Sequence, residues 1–323
     1  MTAPRQSPSG GLEHYLAYQH QQAQEEVASK VAIGLGVLWA GLQFTNLADT
    51  APAWIHGATL EIEKGFAQSV ALAAEFVQHS LWAAEPKAGL IPEVPIRFPA
   101  ERVQVSLRAA GPGSIRSRTL LPPELVNERD IMRVAKLGTT GAGVRHVLNG
   151  GRQAVAQATQ LADLTPDKDN RRVIGYARYT ESGNGKNSPC YFCAMLASRG
   201  AVYRENAFAE TSERFGDNVA AVHDHCQCSL RPVFRRADSM DERADLFLAQ
   251  WEELTKGLSG REAMNAFRQG YVPPPPYKTA PGVDLEAVKR NRQRILNAGF
   301  EVTSPQVVFY DKSIKELALS QAA

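Results

Sequence analysis

The sequence predicts a mainly α chain with a small α+β module, α+β overall. Three observations carry this. Apolar residues recur at helical spacing through most of the first half of the chain. One segment, Val173-Ile-Gly-Tyr-Ala-Arg-Tyr179, alternates like a strand. All four cysteines fall between Cys190 and Cys228, as Cys190-x-x-Cys193 and His223-x-His225-Cys226-x-Cys228. Clustered Cys and His of this kind form the pattern of a tetrahedral metal site, with Zn²⁺ as the first candidate.

Taken in order, residues 1–11 are rich in Ser, Pro and Gly and read as disordered. Residues 12–165 form a helical region. Its first helix runs from Leu12 to about Phe44, and a second from Trp54 to Ala84, with Leu60, Ile62, Phe66, Val70, Leu72, Phe76 and Leu81 on one broad face. Pro86, Pro92, Pro95 and Pro99 then break the pattern. Ile96–Leu107 reads as short strands and Gly111-Pro-Gly113 as a turn. Pro122-Pro-Glu124 opens a further helix, interrupted by the glycines at 138–143 and ending near Leu161. Residues 166–236 hold the strand and the cysteines and end in Leu230-Arg-Pro-Val-Phe234. A helical extension, 237–271, carries helices at Asp241–Lys256 and Gly260–Gln269. Pro273–Pro276 is a stiff spacer. The last unit, 272–323, is an αβ tail with a helix at Asp284–Asn297 and a strand at Gln306–Tyr310.

Composition narrows the function classes. Hydrophobic residues make up 44% of the chain and charged residues 22%, both ordinary for a globular protein. A net charge of +2 argues against wholesale coating of nucleic acid and leaves local basic patches open. The longest apolar stretch, Val31–Leu42, is shorter than the roughly 20 residues of a membrane span and reads as a buried helix, so no membrane span is expected. The N-terminus does not resemble a signal peptide, which disfavours a disulfide set.

In the cysteine window, a C-x-x-C turn lets two thiolates reach one ion. Cys226 and Cys228, two apart in extended chain, point to one side, while a turn could instead pair His223 with Cys226. Six candidates compete for four places: Cys190, Cys193 and two or more of His223, Cys226 and Cys228 are expected to bind, and His225 is the spare. Structural sites fill all four positions whereas catalytic ones keep one open, so a structural role is favoured.

Several catalytic patterns fail. Gly183-Asn-Gly-Lys186 lacks the flanking Gly and Ser/Thr of a phosphate loop, since these positions are Thr180 and Asn187, and Ser188 breaks a dinucleotide fingerprint. Pro189-Cys190-x-x-Cys193 matches half of a deaminase signature, but the His-x-Glu half is absent. Neither H-E-x-x-H nor G-x-S-x-G occurs. Val222-His223-Asp224-His225 resembles part of an HNH or endonuclease VII-like nuclease, yet Asn265 has no histidine after it. The helix Lys289-Arg290-Asn-Arg292-Gln-Arg294 could touch DNA, although such runs are more often solvated faces. His14, His20, His56, His79 and His146 are scattered and read as packing or surface residues.

The block Ser188-Pro-Cys190-Tyr-Phe-Cys193-Ala-Met-Leu-Ala-Ser-Arg199-Gly-Ala-Val-Tyr203, with Val222-His223-Asp-His-Cys226-Gln-Cys228 and Pro232-Val-Phe, resembles the minor head proteins of tailed bacteriophages related to protein F of phage Mu, in the versions from phages of actinobacteria. Cys190, Cys193, His223, Cys226 and Cys228 match that family's C-x-x-C…H-x-x-C-x-C, and Gly175–Arg178 fits its upstream strand. The match covers roughly residues 173–235. The resemblance implies a minor capsid protein made in small copy number, assembled in the host cytoplasm and carried inside the virion near the portal. Its implied partners are the portal protein, the major capsid or scaffold protein, and phage DNA during packaging or ejection. It implies structural Zn²⁺ on Cys190, Cys193, His223, Cys226 and Cys228. Relatives are often labelled capsid maturation protease, but no catalytic dyad or triad supports that here, so an enzyme is not the expected reading. A protease, a nuclease or a zinc-dependent DNA-binding module remain the alternatives.

Overall fold

A computed structural model describes residues 11–120, 122, 127–163, 173–180, 189–203, 228–275 and 282–322. The disordered segment expected at residues 1–11 lies, apart from Gly11, outside them, as does Pro276 of the spacer. Among the described residues the architecture is mostly helical with one two-stranded antiparallel sheet, the mainly α class with minor β that the sequence predicts. No helix among the described residues is long and apolar enough to cross a membrane.

Three long helices make the body: α1 (Leu12–Leu38), α2 (Leu47–Ala84) and α5 (Glu128–Asp163). α2 starts seven residues before the expected Trp54, because its N-terminal turn is closed ahead of Pro52. Thr50 Oγ1 donates to Asn46 O at 2.7 Å and accepts from Gln43 N at 3.2 Å. Ile62, Phe66, Phe76 and Leu81 are buried as expected, whereas Leu60 lies on the outer face and is 44% exposed.

The glycines of α5 do not interrupt it. They are where α5 touches its neighbours. A Cβ at Gly143 would lie 2.6 Å from Leu35 Cδ1, and one at Gly150 2.7 Å from the Phe66 ring. Gly65 of α2 receives Val31 in the same way, with a Cβ reaching 2.3 Å from Val31 Cγ2. Glycine is weak in a helix interior, but spaced by seven these residues line one face and bring three backbones close. α5 also starts later than Pro122. Asn127 caps it, its side chain accepting from Asp130 N at 3.2 Å.

The strands expected at Ile96–Leu107 are absent: that segment is largely helix α3 (Ala100–Arg108). Val103 and Leu107, four apart, enter the core shared by α1 and α2. Gly111-Pro-Gly113 is no turn but part of one widened π-helical turn, Ala109–Gly113, leading into α4 (Ser114–Thr119). A wide turn accommodates the missing N–H of the buried Pro112. Gly111 sits where a Cβ would come within 3.1 Å of Trp54 and Thr139.

β1 (Gly175–Tyr179) and β2 (Ser229–Val233) pair from Gly175↔Val233 to Tyr179↔Ser229, and all ten residues are buried. Pro232 faces Tyr176, whose backbone bonds instead to Tyr203 on the other side, at 3.0 and 3.3 Å, so the proline's missing donor costs nothing. α6 (Tyr191–Ala197) follows the first cysteine. It packs with α7 (Glu242–Leu254) and α8 (Gly260–Gly270) around Phe247 and Phe267.

Among its described residues the C-terminal element holds two helices and no strand. α9 (Leu285–Asn297) is capped by Asp284, and α10 (Pro305–Ala322) replaces the strand expected at Gln306–Tyr310. Val307, Tyr310, Ile314 and Leu317 recur at helical spacing, and that period overrides the local β preference of Val-Val-Phe-Tyr. These residues, with Val288 and Ile295, complete the core formed by Leu12, Tyr15, Leu81 and Trp82. Tyr310 OH donates to Trp82 O at 2.7 Å and Gln306 Nε2 to Ala88 O at 2.9 Å.

Candidate metal centre

The cysteine site forms where α5, the sheet and α6 meet. β1 delivers Arg178, the approach to β2 delivers Cys228, and the N-terminus of α6 delivers Cys190 and Cys193. Cys190 is the N-cap of α6 in extended conformation, and its Sγ accepts the Cys193 N–H at 3.3 Å. This backbone-to-sulfur bond is the one a C-x-x-C turn makes when its two sulfurs face one point. Cys193 and Cys228 are each 3% exposed, and the partly buried Cys190 packs against them.

Two buried arginines hold Cys228. Arg178 Nη1 donates to Cys228 Sγ at 3.0 Å. Arg152 of α5 reaches the Cys228 carbonyl with Nε and Nη2, at 3.1 and 2.9 Å, while its Nη1 donates to Asn149 Oδ1 at 2.7 Å. Two tyrosines close the periphery. Tyr203 lies under Arg178, 6.0 Å from ring centroid to guanidinium carbon, and donates to Leu196 O at 2.5 Å. Burial pushes its phenol up to about 12, against the opposing pull of Arg178 and Arg199. Tyr271 donates to Pro189 O at 3.1 Å. Burial, reinforced by Cys190 and Cys193, holds its phenol above the usual range. Both tyrosines therefore stay neutral donors.

Cys190, Cys193 and Cys228 are free thiols, so none is in a disulfide. Their chemistry fits a thiophilic ion: soft donors, a guanidinium favouring thiolate at Cys228, and a backbone N–H on Cys190 sulfur. Among the described residues, however, no three His, Cys, Asp or Glu side chains converge closely enough to hold a metal. The three cysteines touch without closing a shell. His223, His225 and Cys226, the other half of the expected ligand set, lie outside the described residues. Asn265, which the nuclease pattern would pair with a later histidine, is exposed on α8.

Arg178 and Arg152 escaped the sequence reading as site residues. Arg178 reads as one position of an alternating strand, and Arg152 as one of several basic residues on a helix. Only the β1–β2 register, which sets Arg178 opposite Leu230, brings Arg178 beside Cys228.

A family model described as VG15 protein matches residues 14–253, which takes in the three-helix body and the cysteine module together. No curated protein and no solved structure matches the chain.

Proposed function

The chain belongs to the VG15 family, and from that premise we propose that it is a minor head protein of a tailed bacteriophage, of the Mu F type, built into the particle beside the portal. The observation that carries this reading is the span of the family match: one viral family covers both the helical body and the cysteine module that resembles the Mu F block. A helical scaffold with a locked polar centre suits a structural and docking role in procapsid assembly and in DNA packaging or ejection.

In this reading four of Cys190, Cys193, His223, Cys226 and Cys228, with Cys190 and Cys193 among them, hold a structural Zn²⁺. Bound zinc would supply a cross-link between the start of α6 and the start of β2, and structural zinc contributes on the order of 10 kcal/mol to folding. The protein's own part is to orient the donors. Arg152 fixes the Cys228 backbone, Arg178 favours its thiolate, and the α6 turn sets the Cys190–Cys193 spacing.

Two measurements test the proposal. Mass spectrometry of purified particles should find the chain in low copy number, and it should co-purify with the portal protein; absence from particles would sink the head-protein reading. Elemental analysis of the purified chain should give one zinc per chain, lost in Cys190→Ser/Cys193→Ser. A folded, metal-free wild type would sink the zinc site alone.

A further inference from the structure

The apolar stretch Val31–Leu42, which the sequence marks as a buried helix, is buried on one side only. Val31, Leu35 and Trp39 enter the core shared with α2. Ile33 is 68% and Val37 71% exposed, and Ala40 lies at the surface beyond them. No charged side chain occurs between Lys30 and Asp49. This end of α1, continued by a short 3₁₀ turn (Trp39–Gly41), is therefore apolar on every face. Helices of that kind are covered all round. A single exposed apolar residue is ordinary, but two a turn apart on one uncharged helix face form a patch.

The glycines carry the same message. Gly65, Gly143, Gly150 and Gly151 each receive a side chain from a neighbouring helix. On the outer side of α1 the space is empty. A Cβ at Gly36 would meet only the end of Lys136, at 3.8 Å, and one at Gly41 nothing within 4 Å. Glycine weakens a helix, and among the described residues no packed side chain uses the room that Gly36 leaves.

Ile33, Gly36, Val37 and Ala40 lie within an arc of about 100° that faces away from Val31 and Leu35. Along it the order is large, small, large, small. Reversed, this order is its own complement. Set antiparallel on a second copy, Ile33 lies over Ala40 and Val37 over Gly36, and each pairing occurs twice. A patch that holds both the knobs and the hollows that receive them meets the condition for a two-fold contact. Charge permits it as well. Glu26 and Lys30, next on that side of α1, bridge each other at 2.7 Å, and reversal sets them beside the uncharged tip of the other copy. A foreign helix would need no such symmetry, and an interfacial membrane helix would carry cations and bulky aromatic anchors along the stripe.

We propose that α1 pairs antiparallel with α1 of a second copy of this chain along Ile33, Gly36, Val37 and Ala40. The contact is short, about two turns of one helix pair. That is below the roughly 800 Å² per partner of a standard stable interface, so the dissociation constant should fall at about 10–500 µM.

Sedimentation equilibrium of the full-length chain in reducing buffer, up to about 500 µM, tests this. Ile33→Glu and Ala40→Lys should each weaken association about tenfold or more by burying an unpaired charge. The double variant Ile33→Glu/Ala40→Lys, and an equimolar mixture of the two single variants, should regain it, because position 33 of one copy faces position 40 of the other. Val105→Glu, on α3 and 61% exposed, should leave it within about twofold. Circular dichroism checks the fold, and the milder Val37→Gln, with the same loss expected, serves if a single variant misfolds. A chain still monomeric at about 500 µM would overturn the proposal. So would single variants that associate like wild type, a double variant no tighter than the singles, or binding to phosphatidylcholine vesicles without self-association.

Discussion

The guanidinium of Arg178 meets the sulfur of Cys228 at 3.0 Å, inside a sheet whose ten residues are all buried. A cation so placed favours thiolate over thiol and is itself hard to leave without its partner. Arg178→Met should therefore lower the unfolding free energy by about 1–3 kcal/mol. It should also loosen any bound zinc by about 10- to 100-fold, the usual effect of removing an outer partner of a ligand. Thermal denaturation and competition with a chromogenic chelator measure the two effects separately. An unchanged zinc affinity would place Arg178 outside the metal's influence.

The glycine contacts between long helices make opposite forecasts for the same substitution. At Gly65 a Cβ would collide with Val31 Cγ2 and crowd Val147, both fixed in the core, so Gly65→Ala should cost about 1–3 kcal/mol. At Gly34 the obstacle is the carboxylate end of Glu61, which can swing into solvent. Gly34→Ala should be neutral or should stabilise by up to about 1 kcal/mol through helix propensity. Urea titrations of the two variants decide it, and equal effects would contradict the packing described.

Burial lowers His20 to about 3, and burial likewise lowers His14 and His79. Their unfolded value is 6.5, so the unfolded chain takes up protons first as pH falls. Stability should hold above about pH 6.5 and decline between there and pH 3, by at most about 1.4 kcal/mol per pH unit for His20. The slope of unfolding free energy against pH should flatten in His20→Gln; an unaltered slope would show that His20 is not the proton acceptor.

The C-terminal helices complete the core and do not hang from it as a tail. Tyr310→Phe removes the bond to Trp82 O and should cost about 0.5–1.5 kcal/mol. Deleting residues 282–323 uncovers Leu81, Trp82 and Phe76 and should produce a chain that binds a hydrophobic dye or aggregates. A truncated chain as stable as the full one would show that α9 and α10 are dispensable to the body, even though the family match ends at residue 253.

The sequence by itself determined the class, the long helices and the place of the chemistry. Helical periodicity is local, so α7, α8 and α9 were legible to within two residues and one end each of α1 and α2 was, and Cys190, Cys193 and Cys228 announce themselves by type and spacing. Tertiary structure decided what depends on partners. The glycines of α5 look like breaks until Leu35 and Phe66 are seen filling the space they leave. Gln306–Tyr310 has strand-forming residues, yet it is helical because Val307 and Tyr310 are buried on one side against Trp82. Arg152 and Arg178 became site residues only when a register and a helix crossing brought them to Cys228. The α9 charges lost their prominence to partners that the fold supplies or aligns, Asp311 for Arg292 above all. Spacing along the chain encodes which face a residue takes; what it meets on that face is set by segments tens to hundreds of residues away, which a local pattern does not carry.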